Sequence, residues 1–119
     1  MSTKYMVGIR NKDGKLMNLL FASTISYAIR RYRKLSGDTS EVTAEFVTTP
    51  QGYQVTSLRH LKKGTFFIKV HPSYSIGKTV YVKDNYDRSY EKYECYKFYD
   101  VNCTRMFHGD MLVTDQMTF

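Results

Sequence analysis

The sequence predicts an α+β protein, and three observations support that prediction. One segment, from Ser23 to Gly37, has apolar residues at helical spacing, whereas most of the chain alternates as strands do. Short segments rich in Gly, Asn and Asp separate the alternating runs. A length of 119 residues suits one domain or two very small units. We expect a β-β-α-β unit over residues 1–50, a connector over 51–57 and a small all-β unit over 58–119, closely packed together.

The N-terminal segment predicts a β-hairpin. Tyr5, Val7 and Ile9 alternate with the residues between them, which is the period of a strand. The Asp13–Gly14 pair can adopt the positive φ angles that a tight turn requires. The returning segment, from about Lys15 to Phe21, is apolar on both of its faces. We therefore expect it to be a covered, central strand.

The next segment predicts the helix. Ser23 or Thr24 can cap its start by accepting a backbone N–H, and Gly37 suits the left-handed position that ends a helix. An apolar stripe is formed by Ile25, Ala28, Ile29, Tyr32 and Leu35. The opposite face carries the cations Arg30, Arg31, Arg33 and Lys34. Because cations near a helix C-terminus are also favoured by the helix dipole, these residues suit either a solvated surface or a phosphate-binding site.

The remaining segments predict strands. Val42, Ala44 and Phe46 alternate with polar residues, and Pro50 ends that run. Five short strands with tight turns follow residue 58, which predicts a small antiparallel SH3-like barrel or a strongly twisted sheet. We expect one hairpin near Arg88–Glu91. The apolar terminal residue, Phe119, is expected to pack as part of an edge strand.

Composition narrows the possible partners and compartments. A net charge of +7 favours polyanions, although many small soluble proteins are equally basic. No run of about 18 apolar residues predicts a membrane span, and the N-terminus has no apolar core of a signal peptide. Without a sign of an oxidising compartment, reduced thiols are favoured over a disulfide at Cys95 and Cys103.

The motifs argue against an enzyme. The two cysteines and three histidines lack metal-ligand spacing and any signature of a nucleophile with its base. The glycines stand singly, so no phosphate-cradling loop is predicted. Asp84, Asn85 and Asp87 fit a turn better than a cation site. We therefore predict a non-enzymatic binding protein with no cofactor, no metal, no membrane contact and no small-molecule substrate.

The segment from Asp84 to Asn102 is rich in tyrosine and charged residues, and it is the predicted binding surface. A small barrel buries one face of a strand, so the other face must meet solvent, a partner or the N-terminal unit. For nucleic acid, the predicted stacking residues are Tyr86, Tyr90 and Tyr96. The predicted phosphate contacts are Arg31, Lys83, Arg88 and Lys97, together with the other helix cations. The same rings suit a protein interface, or cross-strand pairing that only stabilises the sheet.

The C-terminal half also carries a family resemblance. Its motifs are "LKKGTFF" (Leu61–Phe67), "YVKDNYDRS" (Tyr81–Ser89), "KYECYKFYDVN" (Lys92–Asn102), "FHGD" (Phe107–Asp110) and "MTF" (Met117–Phe119). In these residues it resembles short uncharacterised proteins of gut Bacteroidetes and of their phages and mobile elements. The resemblance implies a small β fold and a phage or mobile-element origin, in the cytoplasm of a bacterial host or in a virion. It leaves open a virion or assembly component, or a factor that targets a host protein.

Overall fold

A computed structural model describes residues 3–117, and the chain divides after Val47 into two compact units. Unit 1 comprises the described residues up to Val47, and unit 2 begins at Thr48. Within the described residues there are one α-helix and nine β-strands, which confirms the α+β class. The predicted packing of Phe119 lies outside the described residues.

Unit 1 contains a three-stranded antiparallel sheet in the order β2-β1-β3. Its strands are β1 (Tyr5–Asn11), β2 (Leu16–Ala22) and β3 (Val42–Phe46). In the β1–β2 turn, the side-chain oxygen of Asn11 accepts hydrogen bonds from the backbone N–H groups of Asp13 and Lys15, at 3.0 and 2.9 Å. Gly14 has a φ of 84°, as the turn prediction requires. The strand-strand-helix order of this unit is confirmed.

The prediction that β2 is a covered central strand is wrong. β1 occupies the centre because β3 returns to pair with its free side, so β2 becomes an edge strand. Leu16, Met17 and Leu19 on β2 are exposed, at 42%, 44% and 41%. The single helix packs on only one face of the sheet, so an apolar run on β2 does not imply two covered faces.

The helix α1 (Ile25–Ser36) begins and ends at the predicted caps. The hydroxyl of Thr24 accepts a hydrogen bond from the backbone N–H of Tyr27 at 3.2 Å, and Gly37 has a left-handed φ of 71°. The core of unit 1 consists of Val7, Ile9, Ala22, Ala28, Tyr32 and Val42. Leu35, predicted to join the apolar stripe, is instead 64% exposed. At about 100° per residue it lies roughly 70° from the centre of the stripe.

Unit 2 contains an open six-stranded sheet in the order β4-β9-β5-β6-β7-β8, with antiparallel pairing throughout. Its elements are β4 (Thr56–Ser57), a 3₁₀ turn (Leu58–His60), β5 (Phe66–Val70), β6 (Ile76–Asp87), β7 (Lys92–Lys97), β8 (Asp100–Phe107) and β9 (Leu112–Thr114). Among the described residues no pairing joins β4 to β8, so the SH3-like barrel is not confirmed. The hairpin expected near Arg88–Glu91 is present between β6 and β7.

The sheet of unit 2 has a core face and an outer face. The core face packs on the 3₁₀ turn, and the core consists of Leu58, Leu61, Phe67, Tyr81, Cys95 and Val113. A register shift in β6 sets Lys83 opposite Cys95 but Tyr86 opposite Tyr93. Since Cys95 and Tyr93 are two residues apart on β7, both lie on one face. The bulge therefore places Lys83 and Tyr86 together on the core face, where simple alternation along β6 would separate them.

Candidate functional site

One face of α1 combines a ring with three cations, and we call it the basic helix face. It consists of Tyr27, Arg30, Arg31 and Lys34, which line a shallow groove of about 210 Å³. At helical spacing these four side chains fall within an arc of about 100°, opposite the buried stripe. Tyr27 is 39% exposed, so its ring is available at the surface.

The cations of the basic helix face have no acidic neighbour on their own helix, because α1 contains no Asp or Glu. Within the described part of the chain, the ion pairs join Arg10 to Glu45, Arg59 to Asp110 and Lys63 to Asp84. None of these pairs involves the basic helix face.

Arg33 does not belong to the basic helix face, although the sequence grouped it with the other three cations. It is half-buried and lies near Asp38, beyond the end of α1. The Asp38 carboxylate accepts hydrogen bonds from the hydroxyl and backbone N–H of Ser40, at 2.6 and 2.8 Å, and from the Tyr32 hydroxyl at 2.7 Å. These bonds, helped by the Arg33 charge, lower the pKa of Asp38 to about 2. Arg33 is therefore separate from the exposed cations of the basic helix face.

The prediction that Lys83 is an exposed phosphate contact is wrong. Lys83 is only 5% exposed. Its ammonium donates to the backbone carbonyl of Leu61, lies 3.5 Å from the carbonyl of Arg59 and sits 4.2 Å from the ring centroid of Tyr93. Burial lowers the pKa of Lys83. The β6 bulge turns this side chain into the core face, where it ties the 3₁₀ segment to the sheet.

The other residues predicted on unit 2 do not form one surface. Tyr86, Arg88 and Tyr90 are exposed around the β6–β7 hairpin, with Tyr90 at 67%. Tyr96 and Lys97 are only half-buried and lie further along β7. Tyr96 pairs with Val82 on the outer face, whereas Tyr86 lies on the core face. The structure therefore brings together the hairpin residues and separates Tyr96 from them.

A cleft at the end of the core face, which we call the hairpin cleft, has a volume of about 380 Å³. It is lined by Arg59, Tyr86, Glu91, Tyr93, His108, Gly109 and Asp110. The backbone N–H of Arg59 donates to the carbonyl of Gly109 at 3.0 Å, so two segments that are distant in the sequence meet in the lining. Of these residues the sequence identified only Tyr86 as a candidate. The approach of Gly109 and Asp110 to the two tyrosines could not be predicted from the sequence, because it joins segments that are far apart in the chain.

The outer face carries a separate apolar patch near the β7–β8 turn. Phe66 and Phe98 are 40% and 46% exposed, and their ring centroids are 5.0 Å apart. Tyr99 and Val101, which follow Phe98 in the sequence at the β7–β8 turn, are 72% and 67% exposed. We call Phe66 and Phe98 the outer apolar patch. Such a group of exposed apolar side chains is a feature of interaction surfaces.

The reactive side chains of the described residues include one fully buried cysteine and no cluster of metal ligands. Cys95 is fully buried, and burial raises the pKa of its thiol to about 11, which suppresses the reactive thiolate. Both cysteines are free. Among residues 3–117, no three His, Cys, Asp or Glu side chains are grouped as a metal site would require. Over the same residues, no helix combines the length and apolar character needed to cross a membrane.

Comparison with known proteins adds no identification. No protein-family model, no curated protein and no solved structure matches this chain. The function is therefore inferred from the geometry of the two units, each considered by itself.

Proposed function

We propose that this is a non-enzymatic protein that binds nucleic acid without sequence preference. We further propose a phage or mobile-element origin and a location in the cytoplasm of a bacterial host or in a virion. The observation that supports binding most directly is the basic helix face. Three exposed cations surround an exposed tyrosine there, with no acidic residue on the helix.

The chemistry of the basic helix face suits a flexible polyanion. Arg30, Arg31 and Lys34 each present donors to phosphate oxygens, and each phosphate neutralised releases counterions. Tyr27 offers a ring on which a base can stack, and stacking accepts every base. Neither interaction reads the edge of a base. Binding through this face is therefore expected to be salt-dependent and insensitive to sequence.

The hairpin of unit 2 offers a second set of suitable groups. Tyr86 and Tyr90 present exposed rings, and the exposed Arg88 lies between them in the sequence. An aromatic and cationic loop of this kind suits an unpaired strand, because paired bases are stacked on each other and leave no ring face free. We therefore expect single strands to bind more tightly than duplexes.

The test is a titration of fluorescently labelled single- and double-stranded DNA and RNA, read by anisotropy at about 50 and 200 mM salt. The variant Arg30→Ala/Arg31→Ala removes two cations from the basic helix face. Its matched control, Lys12→Ala/Lys15→Ala, removes two exposed cations from the β1–β2 turn of the same unit.

The wild type is expected to bind single strands with an affinity that falls steeply as salt rises. The arginine variant is expected to reduce the slope of log K against log salt by about 1.4, at about 0.7 per phosphate contact on a single strand. The control is expected to leave that slope within error of the wild type. Absence of binding, or equal losses in both variants, would contradict the proposal.

The outer apolar patch favours a second candidate, a protein interface in a virion or assembly component or in a factor that targets a host protein. Exposed aromatic residues are typical anchors of such interfaces. Light scattering on the protein alone tests self-assembly, and Phe98→Asp places a charge in the patch. A defined oligomer that this substitution dissociates, in a protein that binds no nucleic acid, supports this candidate. A monomer unchanged by the substitution argues against self-assembly.

A further inference from the structure

We propose that the hairpin cleft of unit 2 holds a single unstacked nucleobase. The proposal deepens, and rests on, the proposed binding of single-stranded nucleic acid. In this proposal, one base of the bound strand leaves the stack of its neighbours and enters the hairpin cleft. The cleft lies wholly within unit 2, so the inference requires nothing of the basic helix face.

Two rings form the walls of the cleft. The rings of Tyr86 and Tyr93 meet at an interplanar angle of 63°, with centroids 4.8 Å apart, so together they make an aromatic corner. One side of Tyr93 is already occupied by the ammonium of Lys83. Tyr86, at 48% exposed, keeps the larger accessible ring surface. A planar ligand that stacks on Tyr86 with its edge toward Tyr93 fills this corner.

The polar lining contains both donors and acceptors. Arg59 and His108 can donate hydrogen bonds, while the carboxylates of Glu91 and Asp110 accept them. Arg59 and Asp110 are paired at 2.5 Å, so their formal charges cancel, and Glu91 leaves the lining with one net negative charge. A lining of that charge disfavours a phosphate. A planar ring with N–H and C=O groups on its edge matches these donors and acceptors better than a phosphate does.

The depth of the cleft depends on Gly109. A Cβ added there would lie 3.1 Å from the Tyr93 ring and 3.3 Å from the Arg59 Cβ, closer than side chains normally approach. Glycine therefore lets the β8–β9 turn approach the aromatic corner. The resulting volume of about 380 Å³ is at the small end of the roughly 300–1,000 Å³ range of ligand sites. That size suits one base with part of its sugar.

Glu91 adds an independent argument. It has a φ of 54°, the left-handed conformation that glycine adopts without strain and that a glutamate adopts at a cost. It ends the β6–β7 hairpin loop, where glycine would stabilise the turn more effectively. A strained backbone position is expected where the residue has a use, and Glu91 lines the cleft. Glu91→Gly is therefore expected to raise the stability of the fold while it weakens binding in the cleft.

The experiment uses the full chain and two probes. The first is a single-stranded oligonucleotide with one fluorescent 2-aminopurine, whose emission is quenched when it stacks on an aromatic ring. The second is each free nucleoside in turn, followed through the backbone amide resonances of the ¹⁵N-labelled protein. The test variant is Tyr86→Ala. Its control is Tyr99→Ala, which removes another exposed tyrosine of unit 2 outside the cleft.

Tyr86→Ala is expected to weaken oligonucleotide binding by about 5- to 150-fold and to abolish the added quenching, without changing the salt slope. Tyr99→Ala is expected to change affinity less than about 2-fold. Glu91→Gly is expected to raise the thermal midpoint by a few degrees while weakening nucleoside binding. Nucleosides are expected to shift the amides of Tyr93, His108 and Gly109.

The outcomes also separate this inference from the proposed function. If the protein binds the oligonucleotide but Tyr86→Ala behaves like Tyr99→Ala, the cleft is not a base site while the general function stands. If the oligonucleotide does not bind but nucleosides still shift the cleft amides, the cleft assignment stands and the general function fails. If nucleosides shift none of the cleft amides, the inference is overturned.

Discussion

Cys95 makes the stability of unit 2 sensitive to alkaline pH. Its side chain is fully buried in the core beside Phe67 and Tyr81. Burial raises the pKa of the thiol from 9.0 to about 11, because a thiolate there would lose its hydration. The perturbation is a rise in pH from about 8 to about 10.5, applied to the wild type and to Cys95→Ala.

The direction of the change in the free energy of unfolding depends on whether the folded or the unfolded state loses the Cys95 thiol proton at lower pH. The unfolded thiol ionises near pH 9 and the folded one near pH 11, so the free energy of unfolding is unaffected below 9 and falls as pH rises from 9 to 11. At about 1.4 kcal/mol per pH unit, the full loss is about 2.7 kcal/mol, of which about 2 kcal/mol is complete by pH ~10.5. Lys83, whose pKa burial lowers, acts in the opposite direction below pH 10.5. Lys83 is present in both proteins and also interacts with the charge of Cys95, so the comparison measures Cys95 together with that interaction.

The assay is urea denaturation of the wild type and of Cys95→Ala at both pH values, with Cys103→Ala as the matched control. At about pH 8, Cys95→Ala should be less stable by about 1 kcal/mol because it leaves a small cavity. At about pH 10.5 it should equal or exceed the wild type, while Cys103→Ala should follow the wild type. If wild type and Cys95→Ala lose stability in parallel between the two pH values, the reasoning is refuted.

Three further predictions concern unit 1. Gly8→Ala should raise the free energy of unfolding by about 0.4–1 kcal/mol, and the thermal midpoint with it, because the added Cβ lies 3.4 Å from its nearest side-chain atom, an ordinary contact distance. A lower midpoint would show that the strand cannot accept a methyl group. The pKa of Asp38, about 2, predicts stability that is present above pH ~4 and lost as pH falls toward 2, and Asp38→Asn should abolish this dependence in acid denaturation curves. Leu35→Ala should change the free energy of unfolding by less than about 0.5 kcal/mol, whereas Ile9→Ala should cost about 2–5 kcal/mol; equal losses would contradict the exposure assigned to Leu35.

The helix was predictable because its signals are local. Thr24 and Gly37 act on backbone groups within four residues of themselves, and the apolar stripe depends only on helical geometry. The same geometry was sufficient to separate Arg33 from the basic helix face, since Arg33 lies about 90° from the centre of the apolar stripe. Grouping the four cations by closeness in sequence obscured that separation.

The predictions were wrong or incomplete where contacts between distant segments of the chain determine the structure. The apolar run of β2 cannot reveal that β3 pairs with β1 and leaves β2 at the edge. The bulge in β6 cannot be read from alternation, yet it turns Lys83 inward and brings Tyr86 beside Tyr93. The hairpin cleft needs Arg59 and Gly109, which are 50 residues apart in the chain.

The amino-acid order by itself determined the α+β class, the limits of α1 and the presence of three cations and a ring on its exposed side. These properties depend on interactions over a few residues and on the fixed periods of helix and strand. Tertiary structure alone decided which strand lies at an edge, which lysine is buried and which tyrosines line a cleft. Strand pairing and register are set by contacts between residues far apart in the chain, and a one-residue shift exchanges the two faces of a strand.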